Sequence, residues 1–301
     1  MRVLITGSNG LLGQKLVELL RQQPGVKTIV TSRGRNKLAS IYPDLHFVSL
    51  DVTDRVRVQE VIATEKPTHL IHAAAMTNVD ECELNQESCW LQNVTAVEHL
   101  VAACVEHQVH LIHVSTDFIF SGEEGPLTEE AEPKPVNFYG QSKWAAEQVV
   151  QASSGAWAIL RTILVYGTAQ EYGRTNIVLW VRDSLLAGKE IKVVNDQFRT
   201  PTLAEDLALG CWLAAKNNAT GIYNISSDEL FTPYEMALQV ADYFKLDKSL
   251  IVKVDASTFS QPAKRPLRTG FIISKAQRDL GFQPRSFAQG IELLDQQRVT
   301  T

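Results

Sequence analysis

Gly7-Ser8-Asn9-Gly10-Leu11-Leu12-Gly13 is the stretch from which the fold of this chain can be read. Its glycines are spaced G-x-x-G-x-x-G. It follows the apolar run 3–6 and opens a segment in which Leu12, Leu16, Leu19 and Leu20 share one helical face, until Pro24-Gly25 ends it. A strand that turns through glycines into a helix is the setting in which this motif holds a dinucleotide. The first glycine permits the tight turn, the second lets the backbone approach a pyrophosphate, and the third lets the helix pack on the strand. Free N–H groups and the helix dipole then face the phosphates. Gly7, Asn9, Gly10, Leu11, Leu12 and Gly13 are therefore the first candidate cofactor-binding residues.

Outward from this turn, short apolar runs alternate with helix-period segments. Strands are predicted at 3–6, 28–31, 46–50, 69–73, 110–114, 158–161, 191–194 and 222–225, several of them apolar on both faces. Val94, Val97, Val101 and Cys104 make a second helical face. The alternation predicts an α/β fold, a doubly wound parallel Rossmann sheet with a smaller C-terminal substrate lobe. It weakens near Tyr166, where helices are predicted at 176–186, 232–244 and 274–280. The expected division is residues 1–165 for the nucleotide-binding domain and 166–301 for a substrate lobe interleaved with the last sheet strands.

Composition narrows the function classes. The 301 residues are 45% hydrophobic and 21% charged, with a net charge of −5. That balance argues against general nucleic-acid binding, which needs a basic surface. No apolar run is long enough to span a bilayer. Residues 1–7 run straight into a strand, with no basic leader or cleavage site, so a cytoplasmic location is expected. Cys82, Cys89, Cys104 and Cys211 form no Cys-x-x-Cys pair and have no His at zinc spacing, so they are read as reduced structural thiols.

The segment after the second strand bears on the cofactor. It reads Thr31-Ser32-Arg33-Gly34-Arg35, without the carboxylate that would bind the adenosine ribose hydroxyls. Ser32, Arg33 and Arg35 suit a 2′-phosphate instead, which favours NADP(H), with NAD(H) as the alternative.

Further motifs carry a resemblance. Asp51-Val52 ends the third strand, Ala73-Ala74-Ala75 the fourth and Ser115-Thr116-Asp117 the fifth. Asn93 opens a helix, and Tyr139-Gly-Gln-Ser-Lys143 follows after a loop. Together with AAAMTNVD (73–80), STDFIFSG (115–122), LRTILVYG (160–167), VNDQFRTPT (194–202) and Arg265-Pro266, they resemble the extended short-chain dehydrogenase/reductases, and among these the dTDP-4-dehydrorhamnose reductases. The regulatory subunit of methionine adenosyltransferase resembles the same family. The resemblance runs from Arg2 to about Leu280. It implies that Asp51 and Val52 lie near the adenine, that Ala73, Ala74 and Ala75 line the cofactor groove, and that Asn93 supports the active-site backbone or a proton relay.

The resemblance also implies chemistry. Tyr139 and Lys143, four residues apart on a helix-forming segment, project from one face. Tyr139 would donate a proton to a carbonyl oxygen as hydride reaches its carbon. Lys143 would lower the pKa of Tyr139 and bind the nicotinamide ribose, and Thr116 would hold the oxygen, with Ser115 as the alternative hydroxyl. Asp117, Leu164, Asn176, Arg199 and Arg265 are the candidate substrate-binding residues, with Gln197 and Arg268 in the same segments. Leu164 departs from the family, which usually carries a Trp there against the deoxysugar. Some members use a magnesium ion at a dimer contact, but Gln14-Lys15 stands where they would supply a carboxylate, so no metal is predicted. The implied activity is NADPH-dependent reduction of a nucleotide-linked 4-keto-6-deoxy sugar, possible as a homodimer. Two alternatives stay open: a sugar-nucleotide epimerase or dehydratase, and a non-catalytic NADP-binding regulatory subunit. His69, His72, His110 and His113 are read as structural or surface residues, each pair pointing to opposite faces of its strand.

Overall fold

A computed structural model describes residues 1–171 and 175–299. The N-terminal half runs β1 (Arg2–Thr6), α1 (Leu11–Leu20), β2 (Lys27–Ser32), β3 (His46–Ser49), α2 (Arg55–Glu65) and β4 (His69–His72). It continues through α3 (Val79–Leu84), α4 (Gln86–Trp90), α5 (Ala96–Glu106), β5 (His110–Thr116), α6 (Phe138–Gln151) and β6 (Trp157–Thr162). A π turn, Leu91–Thr95, joins α4 to α5. The C-terminal half adds β7 (Val165–Tyr166), α7 (Ile177–Leu186), β8 (Ile191–Val194), β9 (Thr202–Leu203), α8 (Ala204–Lys216) and β10 (Gly221–Asn224). After these come α9 (Pro233–Phe244), β11 (Ile251–Val254), α10 (Ser274–Leu280) and α11 (Phe287–Val299).

Seven strands form one sheet in the order β10-β6-β5-β4-β1-β2-β3, and every pair in it is parallel. The chain winds outward from β1 in both directions, so strand order reverses between β1 and β4. That switch point, at the carboxyl ends of the strands, is where open α/β sheets bind ligands. One face is covered by α1 and α8, with Leu16, Leu20, Ile5 and Ile71 among the buried side chains. The other is covered by α2, α5 and α6, with Leu4, Leu70, Leu111 and Ile159. A separate core gathers Tyr166, Val181, Val240 and Phe287 from the C-terminal elements. Each such side chain, fully buried, contributes about 1.5–3 kcal/mol.

The fold corrects several local expectations. Of the two late strands, 222–225 joins the main sheet as β10, whereas 191–194 pairs with β11 in a small sheet of its own. The strand at 110–114 extends to Thr116, and the one at 69–73 ends at His72, which leaves the three alanines in the following loop. Helix α1 buries Gly13, Leu16, Val17 and Leu20 while Leu12 and Leu19 are only half-buried, because the helix packs on α8 as well as on the sheet. Asn93 lies within a π turn rather than at a helix start. The four strand histidines are all buried. Asn176 and Thr232 immediately precede their helices as caps, and Thr232 shares a capping box with Glu235.

Helix α6 is fastened to β6 by an ion pair removed from water. Arg161 and Glu147 are 2% and 0% exposed, and the guanidinium donates to both carboxylate oxygens, the shortest contact being 2.7 Å. Arg161 also donates to the Glu129 carbonyl. Removing one partner leaves a buried charge unpaired. Glu147→Ala should therefore destabilise the chain by about 3–5 kcal/mol, and the pair replacement Arg161→Met with Glu147→Leu by clearly less, as read by urea denaturation.

Candidate active site

The glycine turn sits at the carboxyl end of β1, beside the switch point. Gly7 has φ +71°, and a Cβ there would come within 2.8 Å of the Ala74 backbone nitrogen. A Cβ on Gly13 would fall 2.3 Å from the Gly7 carbonyl. The turn is therefore compressed between the loop after β4 and its own helix, and only glycine fits. Asn9 ties it to the next loop: its amide donates to Ser32 Oγ and to the Arg35 carbonyl, and its Oδ1 accepts from the Lys37 N–H. This cradle at a helix N-terminus fits a pyrophosphate. Arg33 and Arg35 are exposed beyond it. Arg33 donates to Gln92, and Arg35 pairs with Glu171. Asp51, Val52, Ala73, Ala74 and Ala75 are each partly exposed in the loops that follow β3 and β4.

Asn93, which the resemblance implies supports the active-site backbone or a proton relay, bonds within the protein. It is 1% exposed. Its Oδ1 accepts from the Met76 N–H at 2.8 Å, and its Nδ2 donates to the Met76 carbonyl and to Ser142 Oγ, both at 3.0 Å. Ser142 Oγ in turn donates to the Tyr139 carbonyl. Asn93 thus locks the loop carrying the alanines onto the first turn of α6.

That first turn holds the candidate acid. Asn137 caps α6 by accepting from the Gly140 N–H. A Cβ at position 140 would lie 2.1 Å from the Phe118 carbonyl oxygen, so the glycine after Tyr139 lets α6 dock on the end of β5. Tyr139 is 7% exposed and packs edge-on against Phe118, with the Thr116 side chain near enough to its hydroxyl to influence its titration. Thr116 Oγ1 donates to Asp117 Oδ1 and accepts from the Phe118 N–H. The Ser115 hydroxyl is buried without a partner among the described residues.

Electrostatics at Tyr139 differ from the sequence expectation. Burial pushes its phenol well above the usual value, with the Thr116 side chain opposing the effect and Asp117, Cys82 and Cys89 adding to it. Lys143 does not hold it down, because the ammonium is directed elsewhere: it donates to the Val114 carbonyl at 2.8 Å and lies 3.2 Å from His113 Nε2. Lys143 is 3% exposed, and burial lowers it to about 8, with Glu147 and Cys89 opposing the shift. The consequence is a phenol that keeps its proton across the neutral range, beside an ammonium that loses its own just above it.

Several candidate substrate residues hold the site together from within. Arg199 is 4% exposed, and its guanidinium donates to the carbonyls of Phe198, Pro266 and Leu267 and faces Asp117. Its donors are taken up by protein, which leaves none for the substrate contact that the sequence suggests for it. Asp117 is buried between Thr116, Thr269 and Arg199, and burial raises its pKa against those three partners. Arg265 forms a two-pronged pair with Asp80 at 2.6 and 2.7 Å, bridging α3 to the loop before α10. Asn176 caps α7 and donates to the Gly167 carbonyl. Arg268 lies over the Phe198 ring, and Gln197 accepts from Arg199.

Leu164 is placed differently. It has φ +38°, a left-handed conformation uncommon for a side chain of its size, and is 39% exposed. It lines a cavity of about 360 Å³ with Tyr166, Asn176, Ile177 and Trp180. Trp180, exposed on α7, carries no motif and went unnoticed in the sequence. Among the described residues, no cluster of three or more His, Cys, Asp or Glu could hold a metal ion, and no helix is long and apolar enough to cross a membrane. All four cysteines are free and buried.

Comparison with known proteins gives a consistent result. The chain is 32% identical to a probable low-salt glycan biosynthesis reductase of Haloferax volcanii, over 93% of both chains. It is 30% identical to a dTDP-4-dehydrorhamnose reductase of Aggregatibacter actinomycetemcomitans, over 97% of both. A mouse methionine adenosyltransferase 2 subunit beta is also 30% identical, over 97% of this chain and 86% of its own. Among solved structures, a dTDP-4-dehydrorhamnose reductase of Bacillus anthracis in complex with NADP superposes with a TM-score of 0.85 at 29% identity, over 98% of this chain and 99% of the other. The profile of the RmlD substrate binding domain family matches residues 1–299, and the chain belongs to that family.

Proposed function

We propose that this protein is an NADPH-dependent reductase of a nucleotide-linked 4-keto-6-deoxy sugar. The observation that carries the reading is the joint placement of Thr116, Tyr139 and Lys143 at the carboxyl edge of β5, one strand beyond the switch point where the glycine turn lies. The relatives named as reductases, and the neighbour bound to NADP, support the same chemistry. A bound NADPH supplies the hydride. The residues then act on the carbonyl oxygen: Thr116 orients it by hydrogen bonding, and Tyr139, protonated because it is buried, delivers a proton as negative charge grows there. Lys143 holds the nicotinamide ribose. Gly7, Asn9, Gly10, Leu11, Leu12 and Gly13 hold the pyrophosphate, with Ser32, Arg33 and Arg35 at the 2′-phosphate and Asp51, Val52 and the alanines at the adenine and ribose.

Residues from 166 onward, apart from the elements that return to the main sheet, form the lobe assigned to the sugar nucleotide. Leu164 and Trp180 present apolar surface there suited to a deoxysugar. An alternative as a purely regulatory NADP-binding subunit has the mouse relative in its favour. The buried Tyr139–Thr116 contact weighs against it, since a binder has no use for a phenol desolvated beside a threonine hydroxyl.

Stopped-flow absorbance with NADPH and dTDP-4-keto-6-deoxyhexose tests the reading: nicotinamide signal is lost in a single turnover, and an unchanged signal excludes it. Tyr139→Phe should lower kcat by about 10²–10⁴-fold while NADPH binding stays within about threefold, measured by fluorescence titration. As pH rises through about 8 the ammonium of Lys143 is lost while Tyr139 stays protonated, so kcat should fall on the alkaline side with a midpoint near that value. Arg33→Ser should weaken NADPH by about tenfold or more and leave NADH nearly unchanged, as read by competitive titration.

A further inference from the structure

In register across three adjacent strands, Thr6, His72 and His113 form a buried polar row on the α6 side of the sheet. His72 Nδ1 lies 2.7 Å from Thr6 Oγ1, and the two imidazoles stack at 5.4 Å between centroids. The row ends on Lys143, whose Nζ is 3.2 Å from His113 Nε2. An ammonium has three hydrogens and no acceptor, so His113 Nε2 must present its lone pair and Nδ1 must carry the ring hydrogen. His113 is 0% exposed, and its Nδ1 has no partner among the described residues. A buried N–H without a partner carries a desolvation cost that an apolar residue here would avoid. The polar contact that His113 does make is with Lys143.

We propose that His113 is a positioning residue for Lys143: its neutral imidazole accepts one ammonium hydrogen, the Val114 carbonyl accepts a second, and the third is thereby aimed toward the cofactor side of Tyr139. The inference rests on the role given to Lys143 above. Burial and the neighbouring ammonium keep His113 neutral, which preserves the acceptor at Nε2. The charged and titratable groups around Lys143 are Tyr139 and Glu147 on its own helix, Cys89 on α4, and His72 and His113 on the strands beneath. Of these, His113 is the one within hydrogen-bond distance of the ammonium nitrogen. Without its lone pair the buried charge keeps a single protein acceptor, so the ammonium should be lost at lower pH and its orientation loosened.

The test reads Lys143 directly. In the protein labelled with ¹³C at lysine Cε, Lys143 should titrate with a midpoint near 8. In His113→Phe, which keeps an aromatic ring but has no lone pair, the midpoint should fall by about one unit, and His113→Gln, whose amide oxygen accepts, should recover most of it. An unchanged midpoint in folded His113→Phe overturns the proposal. Imidazole ¹⁵N shifts in the unsubstituted protein test it without any variant: the Nδ1–H tautomer, with an Nε2 shift that follows the Lys143 titration, is expected, and an Nε2–H tautomer overturns it. Kinetically, the alkaline limb of kcat should move with the NMR midpoint while KM for the sugar nucleotide holds. Should Lys143→Met retain kcat, the catalytic role of Lys143 fails, and the NMR result still decides whether His113 positions it.

Discussion

Helix α6 carries Tyr139, Lys143 and Glu147 at intervals of four residues on a face that is buried against β5 and β6. Burial ordinarily reserves such a face for apolar side chains, because an unpaired charge away from water costs several kcal/mol. The fold meets that constraint with partners fixed on the strands: Arg161 for Glu147, and the Val114 carbonyl with His113 for Lys143. These pairings fasten α6 to β5 and β6. Its first turn then brings Tyr139 to Thr116, and Gly140 permits the approach. The same lack of water keeps the phenol protonated and brings the ammonium close to neutrality. The chemistry proposed for the site is thus a consequence of how the helix is held.

Around this helix the remaining parts act as a frame. The glycine turn and the Asn9 bonds fix the cofactor side. Asn93 and Ser142 join the loop after β4 to the first turn of α6. Across the cleft, Arg199 and Arg265 bond the segment around 263–268 to Asp117 and Asp80. Arginines that the sequence marks as candidate substrate-binding residues are thus engaged with carboxylates and carbonyls of the chain itself.

The extent to which the sequence revealed this follows from the range of each interaction. The glycine turn, the strand–helix alternation and the Tyr139/Lys143 spacing are local patterns, and they were legible because backbone geometry and helical period dictate them. Partners brought together by folding were not. Nothing near Arg199 in the chain indicates that carbonyls at 266 and 267 take up its donors. His113 reads as a strand residue until its register beneath α6 is known. The expectation that Lys143 lowers the Tyr139 pKa rested on a spacing of four residues, and the strand acceptors that draw the ammonium away lie some thirty positions earlier. Trp180, with no motif around it, became a candidate through its position in the cavity beside Leu164.

The central claim is a net transfer of hydride from cofactor to sugar carbon, with Tyr139 supplying the proton. Mass spectrometry of the sugar nucleotide formed from dTDP-4-keto-6-deoxyhexose and NADPH deuterated at the transferring position of the nicotinamide tests it most directly. The account predicts a reduced product carrying deuterium at the former carbonyl carbon, together with stoichiometric NADP⁺. A sugar nucleotide without deuterium, or an isomerised product with the cofactor still reduced, would contradict it.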